Sequence, residues 1–339
     1  MDRLRIYTQG DILELVNTRH GETKLGEKVQ VYHHDHRETA PEDGITLANL
    51  KNSPAKFVLL GIPEDIGVRA NYGTGGTASA WPAALKTLLN IQSNSFLNGE
   101  EILVLGHFDI AEPLDQSVTA LRGKTAAIDL LVYPVIQLIV AAGKIPIVIG
   151  GGHNNAFPIV WGAFLAQQQA LNVVNIDAHA DLRNTEEGRH SGNGFSHALA
   201  NGYLNQYRVF GLHQNYVNKA LPSHIANNSN LKARYFEDLL QSQSICHEWQ
   251  SFIEDLDSPL GLEIDLDSIE NVLSSASSPS GFALNDIRRM LLHNRKKWSY
   301  LHICEGATKL ANGREDLATG KTMAYLVTDF VKNYLNSNV

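Results

Sequence analysis

A chain of 339 residues with 43% hydrophobic and 19% charged residues can bury a full globular core, which excludes wholesale disorder. Its formal net charge of −8 argues against nucleic acid or an anionic membrane surface as the main partner. With only Cys246 and Cys304, no run approaching 18 apolar residues and no signal-peptide stretch at the N-terminus, the composition excludes a disulfide framework and a spanning segment and points to a cytoplasmic protein.

Residues 1–53 are polar and charged and read as an irregular N-terminal arm. Within it, "HHDHRETAPEDG" (33–44) gathers His33, His34 and His36. Such a cluster could bind metal, but no apolar strand fixes its geometry, so a solvated loop is expected. From residue 57 short apolar runs recur: "FVLLGIP" (57–63), "EILVLGHF" (101–108), "KIPIVIGGGH" (144–153), "LNVVNIDAH" (171–179), "YRVFGL" (207–212), "PLGLEIDLD" (259–267) and "SYLHICEG" (299–306). Their length and β-branched content predict buried strands. Helical spacing occupies 125–142, 155–170, 283–294 and 320–335. Strand and helix alternation without hairpin signals predicts an α/β fold with a parallel sheet covered on both faces, in a single domain over 54–339.

Three of these runs end in ligand-type residues. "GGGHNN" puts His153 just past the carboxyl end of one predicted strand. "VVNIDAHADLR" (173–183) delivers Asp177, His179 and Asp181 at alternate positions, and "EIDLD" (263–267) delivers Asp265 and Asp267 at the same spacing. Alternate residues of an extended strand share one face. Ligands of parallel α/β sheets bind outside the carboxyl ends of strands, so all six residues are expected to meet there. Four clustered aspartates repel and raise one another's pKa, a problem that divalent cations remove. Two histidines with four carboxylates exceed the needs of one ion and fit two, bridged by shared carboxylates and a water. Mixed imidazole and carboxylate ligation suits Mn, Zn, Fe, Co or Ni. Water bridging such a pair becomes a nucleophile near neutral pH. No cysteine is among the six, which argues against a closed structural zinc site.

Other chemistries fit less well. "GGGHNN" lacks the lysine and spacing of a phosphate loop, and the chain has no G-x-S-x-G elbow. The glycine-rich "YGTGGTAS" (72–79) reads as a flexible active-site loop.

In this order, "GGGH", "NIDAHADLR" and "EIDLD" resemble the ureohydrolase superfamily of arginases, agmatinases and formimidoylglutamases, over about residues 57–310. The resemblance implies a three-layer α/β/α fold with a mostly parallel central sheet, two Mn2+ per chain, a small amidine or guanidino substrate and a homo-oligomer. Carried over, it has His153 and Asp181 hold one manganese and His179 and Asp267 the other, with Asp177 and Asp265 bridging. It also gives Asp181 the orientation of the bridging hydroxide. Glu305, in "LHICEGA", falls where members place a glutamate that hydrogen-bonds the substrate's cationic group. By its own position Glu305 also ends an apolar strand.

Within the superfamily, "DAHADLR" with Arg183, "GVRANYG" with Arg69 and Asn71, and "HSGNGFSHA" with Ser191 resemble the formimidoylglutamase branch. Two arginines suit a dicarboxylate, because guanidinium forks clamp carboxylates bidentately. The expected reaction is N-formimidoyl-L-glutamate plus water to L-glutamate and formamide, which implies a place in histidine metabolism. His190 and His197, which flank Ser191, are candidate proton donors to the leaving amine. Three departures from the branch fall where the distal end of the substrate should lie: "GNG" at 192–194, "CEGA" at 304–307, and the loop at 72–79, which lacks the usual arginine. The alternatives are a ureohydrolase acting on agmatine, arginine or a guanidino acid, a dinuclear phosphoesterase, or a non-catalytic metal-stabilised scaffold.

Overall fold

The computed structural model describes residues 2–33 and 44–336. The apolar runs become strands, here β1 (Arg3–Ile6), β2 (Gln30–Val31), β3 (Phe57–Gly61), β4 (Ile102–Asp109), β5 (Ile145–Ile149), β6 (Leu171–Ile176), β7 (Leu204–Leu212), β8 (Leu231–Tyr235), β9 (Leu260–Asp265) and β10 (Tyr300–Cys304). They form one sheet ordered β1-β4-β3-β5-β10-β9-β6-β7-β8, with β2 also paired to β4. β1 runs antiparallel to β4 and every other strand pairing is parallel.

Successive strand residues feed two cores on opposite faces of the sheet. Leu59, Val104, Ile147, Leu262 and Ile303 pack in one core, with the helices Ala80–Leu89, Leu284–Leu292 and Ala318–Asn336. Val58, Leu103, Val148 and Val173 pack in the other, with Val118–Ala141 and Ala156–Gln167. A strand covered on both faces must be apolar at successive positions, which is why these runs stand out in the sequence. The result is the expected three-layer α/β/α arrangement. The helix Val118–Ala141 is long and apolar enough to cross a membrane by length and composition alone. Here Leu121, Ile128, Val132, Ile136 and Ile139 turn one side of it into the core, and Gly143, at φ 75°, ends it.

The described residues before 54 carry regular elements that their polarity did not suggest. β1 and β2 add to the edge of β4 through their backbones, and Ile12, Leu25, Val29 and Val31 join the first core. An edge strand hydrogen-bonds on one side only and tolerates charged side chains such as Arg3 and Arg5, so polarity alone is a poor guide there. β8 escaped notice for the same reason: of its five residues only Leu231 is buried. His33 is exposed, while His34 and His36 lie outside the described residues.

β9 and β10 enter the sheet between β5 and β6. Late segments of the chain thereby come to lie between the two earlier strands that lead to His153 and Asp177.

Candidate metal centre and its cavity

β5, β10, β9 and β6 lie side by side and parallel, so their carboxyl ends share one edge. His153 opens a short turn after β5, reached through Gly150 and Gly151 at φ 89° and 78°. Asp177 directly follows β6, and Asp265 is the last residue of β9. Asp181, at φ 48°, and Glu305, at φ 60°, both occupy left-handed backbone that non-glycine residues rarely adopt. Strain of this kind concentrates at functional sites, where the surrounding structure enforces it.

Nδ1 of His153 lies 3.2 Å from Asp177, 2.9 Å from Asp181 and 3.2 Å from Asp265. Nδ1 of His179 lies 3.1 Å from Asp267 and 3.5 Å from Asp177. Ligand-type atoms therefore fall into two groups, His153–Asp177–Asp181–Asp265 and Asp177–His179–Asp267, with Asp177 common to both. Asp265, expected as a second bridge, belongs by distance to the first group only. The aspartates are held by the chain itself. Asp177 accepts the backbone N–H of His179 at 2.7 Å and the Asn175 amide at 2.8 Å, and Asp265 accepts the N–H of Asp267 at 2.8 Å.

This donor set suits divalent cations. Three carboxylates surround Nδ1 of His153, yet none meets hydrogen-bond geometry with it, so that nitrogen faces the space between them. Oδ1 of Asp267 is likewise buried without a partner among the described residues. Burial and the charges of Asp267 and Asp177 push Asp265 far above the usual carboxylate range, and burial raises Asp181 too. Burial opposes ionisation of Asp177 as well, but the imidazoles of His153 and His179 outweigh it and hold that carboxyl low. A site that must retain protons to limit its own repulsion is one where bound cations can replace them.

A cavity of about 600 Å3 opens over the cluster. Asp181, Asp265, Asp267 and His179 form its floor together with Glu305, and Asn71, Arg183 and Ser191 line its wall. Burial and the neighbouring carboxylates Asp267 and Asp181 push Glu305 up to about 8. Asn71 donates to Ser191 Oγ at 3.2 Å, and its own carbonyl oxygen is buried without a partner among the described residues. Tyr216 completes the rim, its ring stacked on His179 at 4.7 Å between centroids. A larger groove of about 880 Å3, at the opposite end of the sheet around Arg208 and Asp255, holds no metal-type cluster among the described residues.

Two expectations fail here. Arg69 does not line the cavity. Its guanidinium binds Asp65 at 2.7 Å, both oxygens of Glu112 at 2.9 and 2.7 Å, and Gln116. Nearby carboxylates have taken its donors, so the expected pair of arginines is reduced to Arg183. His190 and His197 do not line the cavity either. His190 is fully buried, and its Nδ1 accepts the N–H of Gly192 at 3.1 Å. Burial and nearby arginines lower both histidines to about 4, so each is neutral at pH 7 and poorly suited to donate a proton. The loop at 72–79 does reach the cavity, through Tyr72 and Gly73, but it is stapled rather than free. Thr74 N–H donates to Ser275, the Thr77 hydroxyl to the Glu64 carbonyl, and Ser79 Oγ accepts the N–H of Thr308.

Two buried groups that support the His153 turn went unread in the sequence. Glu64, just beyond β3, accepts from the backbone of Ile66, Gly67 and Gly152 and from the amides of Asn154 and Asn155. Arg189 forks onto Asp129 at 2.7 and 3.1 Å and donates to the carbonyl of Asn154 at 2.7 Å. An acid just past the carboxyl end of a buried parallel strand was a usable signal for Glu64. Asp129 and Arg189 lie 60 residues apart, and nothing local links them.

Comparison with known proteins agrees with this architecture. The Arginase family model matches residues 55–330. A formimidoylglutamase of Hahella chejuensis is 29% identical over 246 residues, 68% of each chain. One from Streptococcus pyogenes is 30% identical over 224 residues, covering 62% of this chain and 63% of the relative. The crystal structure of formimidoylglutamase from Bacillus subtilis superposes with a TM-score of 0.72 at 15% identity, over 95% of both chains. A Trypanosoma cruzi formiminoglutamase variant with Mn2+ superposes with a TM-score of 0.69 at 18% identity, over 86% of this chain and 98% of that one. The match over residues 55–330 takes in both ligand groups and Glu305, and the chain belongs to the arginase family.

Proposed function

We propose that this protein hydrolyses the carbon–nitrogen bond of a linear amidine, N-formimidoyl-L-glutamate, to L-glutamate and formamide, using two divalent cations, Mn2+ by preference. The observation that carries the reading is the junction of two ligand groups through Asp177 on the floor of a cavity that also holds Glu305 and Arg183. His153, Asp177, Asp181 and Asp265 would hold one ion, and Asp177, His179 and Asp267 the other. Two cations so placed supply a water-derived nucleophile at neutral pH and stabilise the charge that develops on the attacked group.

The chain's own side chains do the rest. Asp181 borders both the ligand group and the cavity, with one oxygen toward His153, and its other oxygen, which has no hydrogen bond among the described residues, would orient the attacking water. Glu305 uses Oε1 to accept the N–H of His153, which leaves Oε2 to bind and align the substrate's amidinium. Arg183 makes no ion pair among the described residues and offers its guanidinium to a substrate carboxylate. Asn71 and Ser191 supply neutral hydrogen-bonding groups beside it. Tyr216 covers His179 and shields that side of the centre from solvent.

The relatives' names support the amidine substrate, and Arg183 favours an anionic tail over the second cation of agmatine. Hydrolysis of formimidoylglutamate, arginine, agmatine and guanidinobutyrate by manganese-loaded protein tests the assignment. Formamide from the first alone is expected, and urea from any guanidino compound in its place would move the substrate elsewhere in the family.

A further inference from the structure

The strands beneath the ligands carry a second polar row. Asn175 stands two positions before Asp177, Glu263 two before Asp265, and His302 two before Cys304. Sheet register pairs Asn175 with Glu263 and Glu263 with His302. The three therefore sit on the ligand face of the sheet, one residue pair deeper. All three are fully buried. Strands covered on both faces are ordinarily apolar throughout, and a buried carboxylate or imidazole is costly unless paired. Such a row calls for a physical reason.

Glu263 is engaged on both oxygens. Oε1 accepts the Tyr300 hydroxyl at 2.7 Å, and Oε2 lies 2.5 Å from Nδ1 of His302. Tyr300 can lie across the sheet because its register partner is Gly261, where a Cβ would come within 2.3 Å of the ring. The same Oε2 is 3.6 Å from Nε2 of His153, a buried nitrogen with no hydrogen-bond partner among the described residues. The Cys304 thiol, which clusters with His153 and His302, donates to the Ile264 carbonyl at 3.8 Å, and its sulfur is a far weaker acceptor than the Glu263 carboxylate. Nδ1 of His153 is the nitrogen that faces the aspartates. An imidazole that gives its Nδ1 lone pair to a cation must keep its proton on Nε2, and a buried N–H requires an acceptor.

We propose that Glu263, held by His302 and Tyr300, is the positioning residue that fixes His153 as its Nε2–H tautomer and so presents Nδ1 to the ion on that side. Asn175 serves Asp177 in the same way: its amide donates to Asp177 at 2.8 Å and is itself anchored on the Tyr207 hydroxyl at 3.0 Å. The inference rests on the two-cation reading above and extends it to residues that touch neither ion nor substrate.

Manganese titrations followed by the paramagnetic resonance of free Mn2+ test it on the wild-type chain and two variants. E263Q keeps the side-chain shape and removes the charge. E263L/H302F removes both partners at similar volume, an exchange that buried ion pairs commonly tolerate without loss of stability, so a merely structural role would be relieved by it. The wild type is expected to bind two ions. Each variant is expected to bind the His153-side ion roughly 10–100-fold more weakly, the usual effect of losing a partner behind a metal ligand. The second ion and the melting temperature of the metal-free double variant stay unchanged. Two ions bound at wild-type affinity by either folded variant would overturn the positioning role. A wild-type chain that binds no ion would instead overturn the metal centre, and this inference with it.

Discussion

The backbone N–H of His153 donates to Oε1 of Glu305 at 2.8 Å, joining the turn that carries a metal-type ligand to the carboxylate that faces the cavity. The bond exists because β5 and β10 are parallel neighbours that end at the same level. Glu305→Gln preserves this acceptor and removes a carboxyl that, raised to about 8 in the free site, an arriving amidinium would hold ionised. The variant should lose activity on the order of 10²–10³-fold in kcat, the size of effect seen when one preorganised electrostatic group is removed. Metal analysis alongside steady-state kinetics checks that both ions remain bound, and full activity would contradict the role.

Arg183 and Arg69 should separate cleanly. Arg183 faces the cavity without an ion-pair partner among the described residues, so Arg183→Ala should raise KM for formimidoylglutamate by about 10–100-fold, the equivalent of one lost charged hydrogen-bonding interaction. Arg69 is occupied by Asp65 and Glu112 at the protein's edge. Arg69→Ala should leave KM unchanged and lower stability by about 1 kcal/mol or less. Kinetics and urea unfolding on the two variants read both effects, and a KM rise in Arg69→Ala would return that residue to the substrate site.

Cation binding should stabilise the fold, because ions relieve the repulsion that raises Asp265 and Asp181. Manganese at one hundred times its Kd contributes about 2.7 kcal/mol per site to unfolding free energy. Thermal melting of chelator-treated protein should therefore rise on adding Mn2+. Asp177→Asn, which weakens the residue common to both groups, should abolish most of that rise.

His190 and His197 give the protein a specific acid sensitivity. Their folded values lie at about 4, depressed first by burial and then by neighbouring cationic groups. In the unfolded chain a histidine titrates near ~6.5. Below that pH the unfolded state takes up protons that the folded state refuses, so the stabilisation present above it is lost as pH falls toward 4. Urea unfolding of metal-free protein between these limits should show a shallower loss for a His190→Asn/His197→Asn double variant than for the wild type. Parallel curves would contradict the depressed values.

Much of this was legible in the sequence, and the reason is physical. Buried parallel strands must be apolar at successive positions, so β3 to β7, β9 and β10 stood out, and the six ligand-type residues sit where those runs stop. β1, β2 and β8 did not stand out, because edge strands are held by backbone bonds that leave no hydrophobic signature. Arg69 was misread because a guanidinium looks the same in sequence whether it faces a substrate or Asp65 and Glu112. Glu263 and His302 were in plain view as polar interruptions of "LGLEID" and "SYLHIC". Their partnership depends on the register between β9 and β10, which no local pattern encodes.

The central claim, cation-dependent hydrolysis of a formimidoyl group, is tested most directly by measuring formamide released from N-formimidoyl-L-glutamate by metal-stripped protein as Mn2+ is added back. The account predicts no release without metal and release that reaches its plateau at two ions per chain. Two ions bound with no formamide released, or release that persists in the metal-free protein, would contradict it.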